Sequence, residues 1–173
     1  MMAGVRARSC LRGGLLSIFL ALVYGAFAVF FGGTLSAQPL KERPALTVHG
    51  REIFLRLAMT RDDWRQGLMF ERHLAENEGM LFVGDHAEFQ TFWMKNTFIP
   101  LDMIFIREGS PHSRWIIDSI VENAEPETET PRRSKGRAHH VLEINGGLSK
   151  RWGLKAGMEL KPNRELLRVT KRG

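Results

Sequence analysis

Phe89-Gln-Thr-Phe-Trp-Met-Lys-Asn-Thr-Phe-Ile-Pro-Leu-Asp-Met-Ile-Phe-Ile106 carries the densest aromatic and β-branched content of the chain outside its N-terminus. Two apolar runs are interrupted by Lys95-Asn96-Thr97 and Pro100. Turn formers between β-formers predict two strands and a tight connection. If Thr97-Phe98-Ile99-Pro100 closes the hairpin, Asn96 faces Leu101 and Lys95 faces Asp102. Opposite charges directly across a ladder add about 0.2–1 kcal/mol. An ionised group in such apolar company is either paired or functional. The structural reading is a cross-strand ion pair that fixes register. The functional reading sets Lys95, Asn96 and Asp102 at the rim of a pocket floored by Trp93. There lysine and asparagine would hold an anionic or carbonyl-bearing ligand, with the carboxylate orienting the lysine.

The flanking sequence supplies more short strands. Leu46 and Val48, then Ile53, Leu55 and Leu57, alternate about a His49-Gly50 turn. Thr60-Arg-Asp-Asp63 has the form of an N-cap with acid in the first turn, predicting a short helix to about Gly67 or Met69. Met80 to Val83 is expected as a buried strand, Gly84 to Glu88 as polar loop, and Arg114 to Val121 and His139 to Ile144 as strands. Asn145-Gly-Gly147 turns into a second helix over Leu148 to Trp152, and short strands follow near Leu160 and from Leu166 to Val169. Glu122 to Gly136 is a long charged loop, expected to be exposed and either mobile or functional. The fold class is mainly β (α+β): a compact barrel or rolled sheet of short strands with two short helices.

Residues 1–37 have the three-part plan of an export signal: Arg6, Arg8 and Arg12 without an acid, an apolar run from Leu15 to Phe31, then small residues to Ala37. Seventeen residues is long for a signal and short for a span, which needs about 20, so cleavage near Ser36 or Ala37 is favoured over an uncleaved anchor. Residues 38–45 read as a linker and 46–171 as one domain outside the cytoplasm, periplasmic or secreted. The net charge is +6, and removing the three arginines leaves +3, too weak for a nucleic-acid surface. The one cysteine, Cys10, precedes the apolar run, so the exported part has no thiol nucleophile and no thiolate metal site.

Arg65-Gln-Gly-Leu-Met-Phe70, Glu78-Gly-Met-Leu-Phe82, Phe92-Trp-Met-Lys-Asn-Thr97, Ile99-Pro-Leu-Asp102, Val141-Leu-Glu-Ile144 and Gly153-Leu-Lys-Ala-Gly157 stand in one order. Together they resemble the bacterial and archaeal domain-of-unknown-function 192 family over roughly residues 46–170. The resemblance implies a small β-rich extracytoplasmic domain and implies no reaction. Two departures stand out: Gly157-Met158, where the family tends to have Gly-Asp, and the strongly charged loop after Val121.

Other constellations are weaker. His139 and His140 are strand neighbours and point apart, so a metal would need His86 or His112 as well. Met59, Met69, Met80, Met94, Met103 and Met158 could offer thioethers to Cu(I), but apolar runs make packing their usual role. No structural zinc, tight copper site or other cofactor is expected. No serine lies in Gly-x-Ser-x-Gly, and Asn145-Gly-Gly-Leu-Ser-Lys150 lacks phosphate-loop spacing. Acid pairs for glycoside hydrolysis would come from Glu78, Asp102 and Glu143. The expectation is an exported domain that binds a small ligand, an envelope component or a partner protein. Trp93, Lys95, Asn96, Asp102 and Glu143 are its candidate site. The rivals are an envelope hydrolase centred on Lys95, Asn96 and Asp102, and a periplasmic metal-handling protein.

Overall fold

Strands β1 (Ala45–Val48) and β2 (Arg51–Ala58) are joined by two residues, His49 and Gly50, with φ of 48° and 74°. Two positive φ angles are what a tight hairpin of this hand requires, so this turn forms as its sequence predicts. The computed structural model describes residues 42–111 and 114–171. Residues 1–37, expected to be an export signal, with Cys10 among them, and His112 lie outside the described residues. No helix among the described residues is long and apolar enough to cross a membrane.

Thr60 caps α1 (Arg61–Gln66) as expected: its hydroxyl accepts from the Asp63 amide (3.1 Å), and the Asp63 carboxylate accepts from the Thr60 amide (2.9 Å). These bonds hold the Asp63 carboxyl below the usual carboxylate range. The helix carries the chain over to β3 (Glu78–Glu88), which pairs parallel with β2. Next come β8 (Ala138–Asn145), β5 (Leu101–Glu108), β6 (Trp115–Ala124) and β9 (Glu159–Pro162), all antiparallel. Strand β9 returns to β1 and closes a seven-stranded barrel. The described residues are therefore mainly β, with three short helices rather than two: α1, α2 (Leu148–Arg151) and α3 (Arg164–Thr170).

Helix α3 replaces the strand expected over Leu166 to Val169. Asn163 accepts from the Leu166 amide and caps it (2.9 Å), and Arg168 bonds Glu165 across the first turn. The cap and the i,i+3 pair favour a helix. Strand β3 also runs through the expected polar loop. A bulge between Val83 and Glu88 keeps it on β8, and Gly84 lies so near β8 that a Cβ would stand 2.3 Å from the His139 carbonyl oxygen.

The largest correction concerns Phe89 to Ile106, which does not form a hairpin. Its first half makes β4 (Thr91–Phe92), which pairs with β7 (Arg132–Arg133) in a separate two-stranded sheet. The Met94 amide donates to the Thr128 carbonyl, Glu127 to Thr97 and Ser134 to Gln90, at 2.9–3.0 Å. The charged loop is therefore the backbone partner of 90–97. Ser119 and Asp118 tie its far end, accepting from the amides of Lys135 and Gly136. The second half, β5, lies between β6 and β8. Lys95 and Asp102 thus do not oppose each other.

Two cores result. Leu46, Ile53, Leu81, Ile104, Trp115, Leu142 and Leu160 come from all seven barrel strands and fill the interior. Met80, Phe82, Met103, Phe105 and Val141 point outward from β3, β5 and β8 and are covered by Leu68, Leu74 and Met94, with Trp64 and Phe92 packed against them. This sheet is buried on both faces, which is why Met103 to Ile106 reads as an unbroken apolar run.

A cavity on the outer face of the barrel

The outer core is incomplete. Between the α1 segment and β4 lies a cavity of about 650 Å³, with Trp64, Leu68, Phe82, Phe92, Trp93, Lys95 and Glu143 among its lining residues. Sequence alternation explains the walls: Phe82 and Glu143 both point outward from neighbouring strands. Trp64 packs edge-on against Phe82 (5.4 Å between centroids), and Phe82 against Phe92 (4.9 Å). Gly67 ends the helix at φ 47°, and a Cβ there would stand 3.1 Å from the Phe82 ring. Trp93, 56% exposed, stands at the mouth.

Glu143 is 4% exposed. Its neighbours across the ladders are Met80 and Met103, neither of which carries a strong donor. Among the described residues its carboxyl has no hydrogen-bond or ion-pair partner. Burial pushes its pKa up to about 8, so at neutral pH the group is mostly the uncharged acid, able to donate and accept. Lys95 lies on the rim but is engaged by Glu129 (3.2 Å), with both side chains largely in solvent.

Asp102 has the opposite surroundings. It is fully buried on the interior side of β5, in register with Ile144. Its Oδ1 accepts from the amides of Asn123 (2.6 Å) and Gly147 (2.9 Å). Its Oδ2 accepts from the amide (2.7 Å) and the hydroxyl (2.6 Å) of Ser149. Asn123 sits in a β6 bulge at φ 49°, and Gly147 turns into α2 at φ 81°. Between them a Cβ at Gly146 would stand 2.6 Å from Asn123 Oδ1. The carboxylate thus clamps a bulge, a turn and a helix start to one strand.

Of the five sequence candidates, Trp93, Lys95 and Glu143 line the cavity. Asp102 lies on the other side of the sheet, and Asn96 occupies a turn at φ 53°. The polar centre of Lys95, Asn96 and Asp102 on which a hydrolase would rest is not assembled. Trp64, Leu68, Phe82 and Phe92 were missed. Their motifs, Arg65 to Phe70 and Glu78 to Phe82, were visible, but only the tertiary path of α1 brings them together. His140 is buried inside the barrel, its Nε2 3.0 Å from Glu108 Oε1 and its ring 4.4 Å from Trp115. The described residues contain no group of three or more His, Asp or Glu placed to hold a metal ion.

A small closed barrel with an outer-face cavity is the class that fold and site define. The profile of DUF192, described as Uncharacterized ACR, matches residues 45–162, and the chain belongs to that family. Among solved structures, a protein of unknown function from Novosphingobium aromaticivorans DSM 12444 is 36% identical, over 72% of this chain and 89% of its own, with a TM-score of 0.61. A Sinorhizobium meliloti 1021 protein, provisionally described as a transcription regulator, is 35% identical, over 70% of this chain and 92% of its own, with a TM-score of 0.62. No curated protein matches the chain.

Proposed function

We propose that this protein is an exported binding domain that takes a small molecule into the cavity beside Glu143. Export rests on the arginines, apolar run and small residues of 1–37. Binding rests on one observation: a nearly buried carboxyl that has no partner among the described residues and faces an open, largely apolar cavity. A protein interior leaves few such groups unmatched, since burying a polar group unbonded costs several kcal/mol, on the order of 1–3 by mutational measures. The aromatic walls suit a flat or apolar body, and Glu143 would orient its polar end. Asp102, already fully bonded, takes no part.

Native mass spectrometry of the full chain isolated from its own cells tests this reading. A retained small molecule is expected, and Met69→Trp, which fills the cavity from its lining, is expected to lose it. Equal retention by both proteins, or none by either, counts against the cavity.

A further inference from the structure

The chemistry of the cavity narrows the ligand, given the binding reading above. Its interior holds one ionisable group that nothing among the described residues balances, the Glu143 carboxyl. The other charged side chains lining it are already engaged: Lys95 with Glu129 at 3.2 Å, and Arg65 with Asp62 at 3.6 Å. The strands on either side of Glu143 present Met80 and Met103, which are uncharged. The walls are aromatic, and the exposed Trp93 ring stands at the entrance. Such rings attract a cation through their negative faces. An anion could take a hydrogen bond from the protonated carboxyl, but the two lining cations, Lys95 and Arg65, already have carboxylate partners. A plain alcohol would satisfy the carboxyl but gain nothing special from the rings.

We propose that the ligand is cationic, a primary or substituted ammonium on an apolar body, with its charge against Glu143 and its body against Trp64, Phe92 and Trp93. The ammonium supplies the donors the carboxyl lacks. As it docks, the carboxyl gives up its proton to solvent and the bound pair is ionic. That release is easy near neutral pH, because the group titrates at about 8.

The test uses the full chain and three probes sharing one body: phenethylamine, 2-phenylethanol and phenylacetate. Cavity occupancy is read from perturbation of the Trp64 and Trp93 indole signals in nuclear magnetic resonance spectra. Proton release is read from calorimetry in two buffers of different ionisation heat. The amine is expected to bind at least tenfold more tightly than the alcohol and to release part of a proton at pH 7. Glu143→Gln is expected to bring it down to the alcohol's level. Tighter binding of the alcohol or the carboxylate, or an amine affinity unchanged in Glu143→Gln, overturns the cationic class but leaves the cavity a binding site. If no probe perturbs either indole, the binding reading falls, and this one with it.

Discussion

Two acids, Asp102 and Glu143, lie a residue apart in the register of one sheet, where Asp102 faces Ile144 and Met103 faces Glu143. Both are buried. Asp102 collects four donors within 2.9 Å, while Glu143 has none among the described residues. The donors explain the contrast. Asp102 points to the barrel end, where a bulge and a helix start leave free amides that no ladder can satisfy. Glu143 points to an outer face whose neighbours are thioethers and aromatic rings. Backbone amides make a buried carboxylate structural; their absence leaves one free for something else.

The strongest way to break this comparison is Asp102→Ala. It leaves three amides and a hydroxyl without their acceptor, those of Ser149 in the interior, and a loss of about 3–5 kcal/mol is expected from urea unfolding. Glu143→Ala should not approach that, since no group among the described residues bonds its oxygens.

The second test concerns pH. The Glu143 pKa is raised from an ordinary 4.5 to about 8 in the fold. Between those values the folded state binds more protons than the unfolded chain, so its contribution to stability is full below about 4.5 and is lost as pH rises through 8. Unfolding midpoints at pH 5 and pH 9 should therefore differ by more in the wild type than in Glu143→Gln. The extra loss is on the order of 4 kcal/mol. A wild-type slope equal to that of Glu143→Gln would show that solvent reaches the carboxyl freely.

How far the sequence reveals this arrangement depends on how local each signal is. The His49-Gly50 hairpin and the Thr60 cap are written in adjacent residues and form as read. The barrel class follows from many short strands. Pairing was not legible: Thr91-Phe92 could join either Leu101 onward or Arg132-Arg133, and alternation is the same in both cases. The charged loop looked like solvent-facing sequence, which hid that its backbone satisfies 90–97. Glu143 was identified as a candidate, but its isolation is a property of Met80 and Met103, set by register, and of α1, set by packing. Asp102 was read as half of an ion pair because its true partners are amides, which leave no trace in the identity of a residue.

A smaller effect sharpens the description of the Asp102 clamp. Ser149→Ala removes only the hydroxyl donor at 2.6 Å and leaves the Ser149 amide and two others in place. A loss of about 1–2 kcal/mol is expected, well short of Asp102→Ala. If the two variants unfold at the same midpoint, the hydroxyl rather than the amides holds the carboxylate.

The smallest expected effect is the coupling between Lys95 and Asp102. Lys95 is bonded to Glu129 on the surface, with about half of its side chain in solvent, while Asp102 is buried among amides on the far side of the sheet. Residues that share no partner add, within about 0.5 kcal/mol. A double-mutant cycle of Lys95→Met and Asp102→Asn should therefore show no coupling beyond that margin, although Asp102→Asn alone is costly. The cycle of Lys95→Met with Glu129→Gln should show the modest value of an exposed pair, about 0.2–1 kcal/mol, shrinking with added salt. The two cycles share one substitution, so a defect in Lys95→Met itself would appear in both and cancel from their difference. Coupling of several kcal/mol between Lys95 and Asp102 would restore the hairpin register and remove the contrast between the two buried acids.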